Sequence, residues 1–376
     1  LPLLELQPDN LALLKTLGAN AFWLGQLKYD VSDWAATRPY FEQYLAYSQT
    51  MYTLAPEDKD ALMELSYAHN SLGSVSINQQ EFANAQQDFE ESLRLKLLAL
   101  AKAPEDSQLI ADVADTRSWL ASAAVSQGDI NTAIQIHEEI QKTLATKNLE
   151  KQPYLLDRLT GSYQNIATLL SYQGRLTEAL NKASLGLATI EFAFKQDPEN
   201  ERWKRLKYYS YSQLLELSTS KSQYLEIEKS TNINFDDKSL LVKSSTYKDI
   251  SAKILLSEAK LMLNIGELDE SLQYAKLATD SYRELANDFN QEITYIANLA
   301  ISELLQASIY KKLGQSPYSI ELCKKVKQQI KPFTEKNKDP IFMISYAKSL
   351  DCLGELDTNK ELILFLEKKD IKNIRF

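Results

Sequence analysis

Few side chains in this sequence of 376 residues are of the types that carry acid–base, nucleophilic or metal chemistry. There are two histidines, His69 and His137, and neither adjoins a nucleophile motif of the kind that an imidazole base activates. Two histidines and two cysteines are also a poor ligand supply for zinc, which takes three or four such side chains. We therefore expect both histidines to pack or to lie at the surface, and we expect no catalytic residue, no metal site and no cofactor.

The acidic pairs do not indicate catalytic carboxylates. Glu90–Glu91 and Glu138–Glu139 fall on the solvent-facing side of amphipathic segments, and Asp236–Asp237 lies in a polar stretch without the second acidic pair of a terpenoid synthase. The chain also lacks the glycine-rich phosphate and dinucleotide motifs, the HExxH zinc motif and any CxxC. These motifs predict no enzyme.

The two cysteines, Cys323 and Cys352, lie on neighbouring helical segments, residues 316–332 and 340–353. If these segments run antiparallel, the cysteines are close in height and a disulfide bridge is geometrically possible. The alternative is a pair of reduced thiols that pack as small apolar side chains, and this is the state we expect. Reduced thiols accord with a cytoplasmic protein, whereas a bridge would indicate an oxidising compartment such as the periplasm.

The composition favours long helices. Ten glycines and ten prolines are few for this length, which argues against a turn-rich β-sandwich or barrel. With 44% hydrophobic and 25% charged residues the chain can bury a core, and no apolar run approaches the roughly 18 residues of a membrane span. Because the first residue is Leu1 rather than methionine, we expect a fragment or a processed form.

Charge is divided unevenly along the chain. Residues 1–150 carry 21 acidic and 10 basic side chains, a formal charge of −11, whereas the remainder carries +2. The acidic first half disfavours nucleic acid as a partner, because that affinity comes largely from basic side chains on phosphates. We expect the lysine-rich end to be the solvated face of two helices, with attraction of an anionic partner as the alternative. Its lysines are Lys324, Lys325, Lys327, Lys331, Lys336 and Lys338.

The sequence repeats itself with a period of 46–48 residues. Pro56 and Pro104 close the similar segments TLAPED and AKAPED and lie 48 residues apart. Glycines recur at the same place in later copies: Gly128 to Gly174 is 46 residues, Gly174 to Gly266 is 92, and Gly266 to Gly314 is 48. Self-similarity at such a period is the signature of a repeat protein.

Each copy predicts two amphipathic helices that are joined by a glycine turn and followed by a proline that ends the pair. Small residues recur twelve apart, one on each helix, and would let the two helices approach closely. These pairs are Gly73 and Ala85, Ala121 and Ala133, Ala167 and Ala179, Ala259 and Ser271, and Ala307 and Ser319. A single pair cannot bury its apolar side, so neighbouring pairs must stack.

This pattern of small residue, glycine turn and small residue, with Phe89 four residues after Ala85, resembles the tetratricopeptide repeat. The resemblance covers nearly the whole chain and implies an all-α, right-handed α-solenoid of about seven or eight antiparallel helix pairs. The usual repeat has 34 residues, so each helix here is longer. In this respect the chain is similar to the long-helix arrays of large bacterial signalling proteins.

The resemblance also implies that the first helix of each pair lines a concave groove and that a protein or peptide binds there. Counted in steps of four from the Gly73 position, polar and aromatic side chains are expected along that groove. The candidates are Phe22, Gln26, Tyr29, Asn70, Ser74, Asn78, Ser118, Ser122, Ser126, Gln164, Thr168, Tyr172, Lys207 and Tyr211. Chaperone-binding members use a Lys, Asn and Arg clamp, of which only Asn70 has a counterpart, so capture of a carboxylate by that route is not expected.

We accordingly expect a non-catalytic protein- or peptide-binding module, a scaffold or sensor within a larger bacterial regulator, attached to further domains. One alternative is an (α/α)-toroid carbohydrate-active enzyme, whose aromatic side chains would stack on sugars and whose two carboxylates would face a cleft. The other is a purely architectural spacer. The sequence leaves the ligand and the oligomeric state open.

The apolar rhythm weakens in the middle of the chain. We expect an acidic N-terminal lobe over residues 1–218, a degenerate repeat over 219–249 and a lysine-rich C-terminal lobe over 250–376. Residues 230–237 read as a loop and are a candidate hinge, the alternative being an ordinary surface loop.

Overall fold

The computed structural model describes residues 6–150, 152–218, 220–231, 245–289 and 292–372, and in these ranges the chain is helical without any strand. Sixteen α-helices occur there, and a 3₁₀ helix, Leu356–Thr358, precedes the last of them. In chain order they are α1 Leu11–Tyr29, α2 Trp34–Leu54, α3 Lys59–Asn78, α4 Phe82–Lys102, α5 Ser107–Ser126, α6 Ile130–Ala145, α7 Tyr154–Tyr172, α8 Leu176–Gln196, α9 Glu201–Leu217, α10 Lys221–Thr231, α11 Ser245–Ile265, α12 Leu268–Asp288, α13 Ile293–Lys312, α14 Ser316–Lys336, α15 Pro340–Cys352 and α16 Lys360–Lys368.

The helices form eight consecutive pairs, each with an odd-numbered first helix and an even-numbered second helix. The chain divides into two compact units: unit 1 is residues 1–143 and unit 2 is residues 144–376. Within unit 1, α2 packs on α3 and α4 on α5; within unit 2, α8 packs on α9, α12 on α13 and α14 on α15. This stacking of second helix on next first helix is that of a tetratricopeptide-like α-solenoid, and it confirms the predicted fold class.

The acid-proline segments between pairs begin the next helix. Asp58 and Asp106 are the N-cap residues of α3 and α5, and their carboxylates accept the backbone N–H groups of Ala61 and Leu109 at 2.9 and 3.2 Å. Asn200 does the same for α9. Such a cap satisfies an N–H group that has no partner within the helix, so each recurrence of the segment restarts the array.

The turn between the two helices of a pair needs a residue with positive φ. Gly128, Gly174, Gly266 and Gly314 adopt φ values between 72° and 89°, as predicted, and Gly354 does so in the last pair. In the first two pairs the equivalent residues are not glycines: Ser32 and Gln80 adopt φ of 58° and 60°. Because these two residues are not glycines, the recurrence of glycine in the sequence does not reveal the first two turns.

The predicted small residues lie at the closest approach of the paired helices, and all of them are buried. A Cβ atom added to Gly73 would lie 2.6 Å from the ring of Phe89, and one added to Gly25 would lie 2.5 Å from the ring of Phe41. Both phenylalanines are at most 1% exposed. The aromatic ring of the second helix therefore occupies the space that a side chain on the first helix would need.

The fifth pair differs from the others. Its second helix, α10, has 11 residues. The second helices α8, α12 and α14 of unit 2 have 21 residues each. In the described residues, α9 also packs against α11. Residues 232–237 of the proposed hinge lie outside the described residues, and the unit boundary at residue 143 precedes the predicted division at 219–249, which stays a prediction.

The end of unit 2 contacts its beginning. The backbone N–H of Lys372 donates to the carbonyl of Tyr172, the last residue of α7, at 2.8 Å. Ile371 is 4% exposed, and the aliphatic part of Lys372 lies against Gly174, 3.1 Å from where a Cβ would stand. The segment after α16 thus closes unit 2 onto its first pair.

Cys323 and Cys352 are joined by a disulfide bridge, with Sγ atoms 2.08 Å and Cα atoms 6.3 Å apart. The expectation of reduced thiols is corrected here: α14 and α15 run side by side, and this brings the two Cα atoms within bridging distance.

Within the described ranges, no helix has both the length and the apolar character that crossing a lipid bilayer requires.

Gly73→Ala should lower the free energy of unfolding by about 2 kcal/mol, because the new methyl group must displace the buried Phe89 ring. Gly161→Ala is the matched control: a Cβ there meets no atom within 4 Å, so this change in the same kind of helix should be neutral or stabilising by under about 1 kcal/mol. Urea denaturation of both variants measures the difference. Equal effects would show that the glycine contact does not limit the helix spacing.

The disulfide closes a loop between residues separated by 29 positions. Reduction, or the change Cys352→Ser, should lower the free energy of unfolding by about 3 kcal/mol because the unfolded chain gains freedom. Thermal denaturation with and without reductant tests this, with Cys352→Ser as the variant that should not respond to reductant. Titration of free thiols in the untreated protein should find none, and two free thiols would contradict the bridge.

Candidate functional site

The histidines are tied into the packing of unit 1. His69 Nδ1 on α3 lies 2.8 Å from Asp88 Oδ1 on α4, so this pair joins the two helices. His137 on α6 is 3% exposed, and burial lowers the pKa of its imidazole to about 4, so the ring is neutral at pH 7. No group of three His, Cys, Asp or Glu side chains arranged for a metal ion occurs in the part of the chain that the structure describes.

The first helices of unit 1 share a polar face, here called the unit 1 face. On α3 it consists of Asp60, Glu64, Tyr67, Ser71, Ser74 and Asn78, which are partly or fully exposed while the remainder of the helix is largely buried. Side chains on this face reach the neighbouring first helices. Lys15 of α1 pairs with Asp60 at 2.7 Å, and the Tyr67 hydroxyl donates to Asp112 Oδ2 of α5 at 2.9 Å.

The unit 1 face is acidic, and a buried lysine lies beneath it. Lys96 on α4 is 2% exposed and donates to Thr116 Oγ1 at 2.7 Å, with its ammonium 5.2 Å from the centre of the Tyr67 ring. Burial lowers the pKa of Lys96 to about 8, while the carboxylates of Asp112 and Asp115 act in the opposite direction. The lysine is therefore charged at pH 7 and offsets part of the local negative charge.

The first helices of unit 2 present a different face, here called the unit 2 face. Its side chains on α7, α9 and α11 are partly or fully exposed and lie along one side of each helix. They include more basic than acidic groups. The residues are Arg158, Asn165 and Tyr172 on α7, Arg202, Arg205, Tyr209 and Glu216 on α9, and Asp249, Lys253 and Lys260 on α11.

Contacts along the unit 2 face join successive first helices. Lys260 Nζ lies 2.8 Å from Glu216 Oε1, and Lys253 Nζ lies 4.3 Å from the centre of the Tyr209 ring, a cation–π contact. Burial raises the pKa of the Tyr172 hydroxyl, and the nearby charge of Asp339, at the start of α15, adds to that shift. The last pair of unit 2 thus faces the end of α7.

A cavity of about 280 Å³ opens on the unit 2 face between α9 and α11. Arg202, Arg205, Tyr209 and Asp249 line it, together with the apolar Leu206 and Ile250. Arg202 forms an ion pair with the buried carboxylate of Asp157, at 2.5 Å. Arg205 forms no ion pair with any of the described residues, so its guanidinium is available to a ligand.

Several of the predicted groove residues do lie on the first-helix faces. Gln26, Ser74, Ser122 and Thr168 occupy equivalent positions in the first four pairs and are exposed or partly exposed. Asn78 and Tyr172 lie beside them at the ends of α3 and α7, and Ser126 holds the equivalent position on α5 but is only 8% exposed. Their binding of a partner stays a prediction.

Other predicted groove residues lie in helix contacts, which corrects the expected single row. Phe22 packs between the rings of Phe41 and Tyr44, and Tyr29 packs on Trp34. Asn70 accepts hydrogen bonds from Ser92 and Thr116.

The same correction holds for three of the remaining four. Gln164 is 6% exposed and donates to Ser210 at 2.7 Å. Ser118 is partly exposed and donates only within its own helix, to the carbonyl of Ala114, so it lies at the edge of the face. Lys207 turns toward Glu191 of the second helix α8, at 3.6 Å, and Tyr211 is 2% exposed in the core.

The reason for this correction is geometric. A helix turns about 100° per residue, so positions counted in steps of four rotate by about 40° at each step and leave the face on which they began. Asn70 thus lies about 80° around the helix from Asn78 and outside the face, whereas Ser74 and Asn78 remain on it. Steps of three and four alternately, as in Asp60, Glu64, Tyr67, Ser71 and Ser74, follow the face, and this polar spacing is the sequence signal that would have found it.

Over the described residues, fold and faces together define a helical, tetratricopeptide-like α-solenoid with polar first-helix faces. No family model matches the chain, and no curated protein matches it.

Among solved structures, the chain is similar to the Rap conjugation gene regulator of the plasmid pLS20 in complex with the Phr peptide, at 9% identity over 94% of this chain and 98% of that chain, with a TM-score of 0.45. It is also similar to yeast Tom70, at 12% identity over 96% and 93%, TM-score 0.35, and to BtubC from P. vanneervenii, at 12% identity over 85% and 92%, TM-score 0.37.

The buried His137 makes stability depend on pH. Unfolded, its pKa is 6.5; folded, it is about 4, so the unfolded chain binds more protons between these values. The free energy of unfolding should therefore fall by about 3 kcal/mol from this group as the pH falls from 6.5 to 4. His137→Gln should remove that component. Urea denaturation of both proteins at several pH values measures it, and a difference that does not vary with pH would contradict the assignment.

Proposed function

We propose that the chain is a non-catalytic scaffold that binds an acidic peptide segment on the unit 2 face. The observation that carries this proposal is Arg205, a guanidinium without an ion-pair partner among the described residues, at the edge of a cavity of about 280 Å³. An arginine fork binds a carboxylate through two parallel hydrogen bonds, which gives both strength and orientation. A peptide with an aspartate, a glutamate or a terminal carboxylate fits this chemistry.

The surroundings of Arg205 support a peptide rather than a small ion. Tyr209 and the apolar Leu206 and Ile250 line the same cavity, and they suit the apolar parts of a peptide. The face continues beyond the cavity along α7 and α11, with the amide of Asn165 exposed and the side chain of Lys260 partly exposed. A ligand in an extended conformation would thus find polar partners on several successive helices.

In this proposal the chain serves as the sensor module of a larger bacterial regulator. What supports a sensor role is the closure of unit 2, in which Lys372 bonds to Tyr172 at the end of the same face. A ligand that binds one conformation of unit 2, more or less closed, more tightly than another increases the population of that conformation. Attached domains would respond to that shift.

The location of the protein follows from its cysteines in this proposal. The Cys323–Cys352 bridge supports an oxidising compartment such as the periplasm, in preference to the cytoplasm that reduced thiols would have indicated. The acidic unit 1 face supports a protein or peptide partner rather than nucleic acid.

The carbohydrate-active alternative has less support. A glycosidase needs two carboxylates that face each other across a cleft, and those of the unit 2 face, Glu216 and Asp249, lie beside the lysines Lys260 and Lys253, at 2.8 and 3.3 Å. Carboxylates held in ion pairs are poor general acids. We therefore propose recognition without catalysis.

The test uses three sets of fluorescein-labelled peptides of about eight residues, acidic, neutral and basic, and measures binding by fluorescence anisotropy. Acidic peptides should bind most tightly, and their affinity should fall as salt is added because the contact is partly exposed. Arg205→Ala should weaken binding about tenfold or more, as expected for a lost charged hydrogen bond.

Arg175→Ala is the matched control, since Arg175 also belongs to unit 2 but pairs with Glu178 at the start of the second helix α8. It should leave peptide affinity unchanged. The proposal is wrong if no peptide set binds, or if the two arginine variants lose affinity equally.

A further inference from the structure

The lysine-rich end of the chain is not a uniform solvated face. Lys324 and Lys336 on α14 are exposed, and Lys325 pairs with the buried Glu303 at 2.5 Å. Lys327 and Lys331 instead turn toward the last helix pair. The structure thus separates two of these lysines from the rest.

Lys327 and Lys331 line a cavity of about 460 Å³ between α14, α15 and the start of α16. Lys360, the first residue of α16, completes a set of three ammonium groups around it. Tyr346 and the buried Leu350 contribute an aromatic and an aliphatic wall. The volume is in the range of about 300–1,000 Å³ that small-molecule sites occupy.

The charges around this cavity leave two lysines available. Lys327 forms an ion pair with Glu355, which neutralises both groups. Lys331 and Lys360 form no ion pair with any residue in the described ranges, while one further carboxylate, Glu361, also lines the cavity. The three lysines and two carboxylates leave a net positive charge, which favours an anionic ligand.

A tyrosine hydroxyl at the wall of the same cavity independently points to a ligand. Tyr346 is 9% exposed and lines the cavity, and its hydroxyl has no hydrogen-bond partner within the described part of the chain. A tyrosine hydroxyl without a protein partner is free to donate a hydrogen bond to a ligand oxygen.

Helix α16 adds donors to this wall. Its N-cap Asn359 accepts the N–H of Leu362 at 3.1 Å, whereas the N–H groups of the first two helical residues, Lys360 and Glu361, have no partner within a helix. Backbone N–H groups at a helix start favour an oxyanion.

We propose that this cavity binds a small molecule that carries a phosphate group. The phosphate contacts Lys331, Lys360 and the Tyr346 hydroxyl, and the organic part lies against Leu350. The site is separate from the peptide site on the unit 2 face and does not depend on it.

The test measures binding of inorganic phosphate, pyrophosphate and AMP to the intact chain by isothermal titration calorimetry. At least one probe should bind, and Lys331→Ala and Lys360→Ala should each weaken its binding about tenfold, the usual effect of one charged hydrogen bond. Tighter binding of AMP than of phosphate would support contact with Leu350, and equal binding would limit the site to the phosphate group itself. Because both lysines are exposed, these variants should keep the fold.

Two further variants make the test specific. Tyr346→Phe keeps the ring and removes only the hydroxyl, so affinity should fall about threefold or more while the free protein loses no stability. Lys324→Ala removes an equivalent charge from the same helix outside the cavity and should change nothing. Absence of binding for all three probes at millimolar concentration, or equal weakening by Lys324→Ala and Lys331→Ala, would overturn the proposal.

Discussion

The array depends on the close contact between a glycine on one helix and a phenylalanine ring on its partner. At Gly73 and Gly25 no side chain fits, because Phe89 and Phe41 already fill the space. This contact sets the distance between the helices of a pair, and the buried alanines and serines of the later pairs hold the same place, with Ser271 donating to the carbonyl of Ala259 at 2.7 Å. With the spacing fixed, each pair has one side for the next pair and one polar side, the first-helix face.

The features that sequence alone predicted are those that a local rule imposes. Positive φ at Gly128 and Gly174, burial of the small residues and the helix restarts after Pro56 and Pro104 each follow from one position and its chemistry. They gave the fold class and the repeat. The turns at Ser32 and Gln80 could not be found by the same rule, because these residues adopt positive φ without being glycines.

The candidate site could be predicted only in part, because a face depends on rotation accumulated over a whole helix. Counting in steps of four placed Gln164 and Tyr211 in the expected groove, whereas both are buried in the helix packing. The tertiary contacts that leave Arg205 without a partner and Tyr346 beside a cavity join residues from different helices, and the sequence pattern contains no information on that distance. The uneven distribution of charge along the sequence also appears on the two faces: the unit 1 face is acidic and the unit 2 face is largely basic.

The bond between Lys372 and Tyr172 also bears on how unit 2 folds. In an open repeat array each pair contacts only its neighbours, so terminal pairs fray and stability grows by nearly independent increments. Closure joins residues far apart in the chain and therefore requires most intervening pairs to be in place before it forms, at a cost in loop entropy that grows slowly with length. Unit 2 should accordingly behave as a ring, losing its structure in one cooperative transition rather than from its ends, and folding more slowly than its local helical contacts alone would allow.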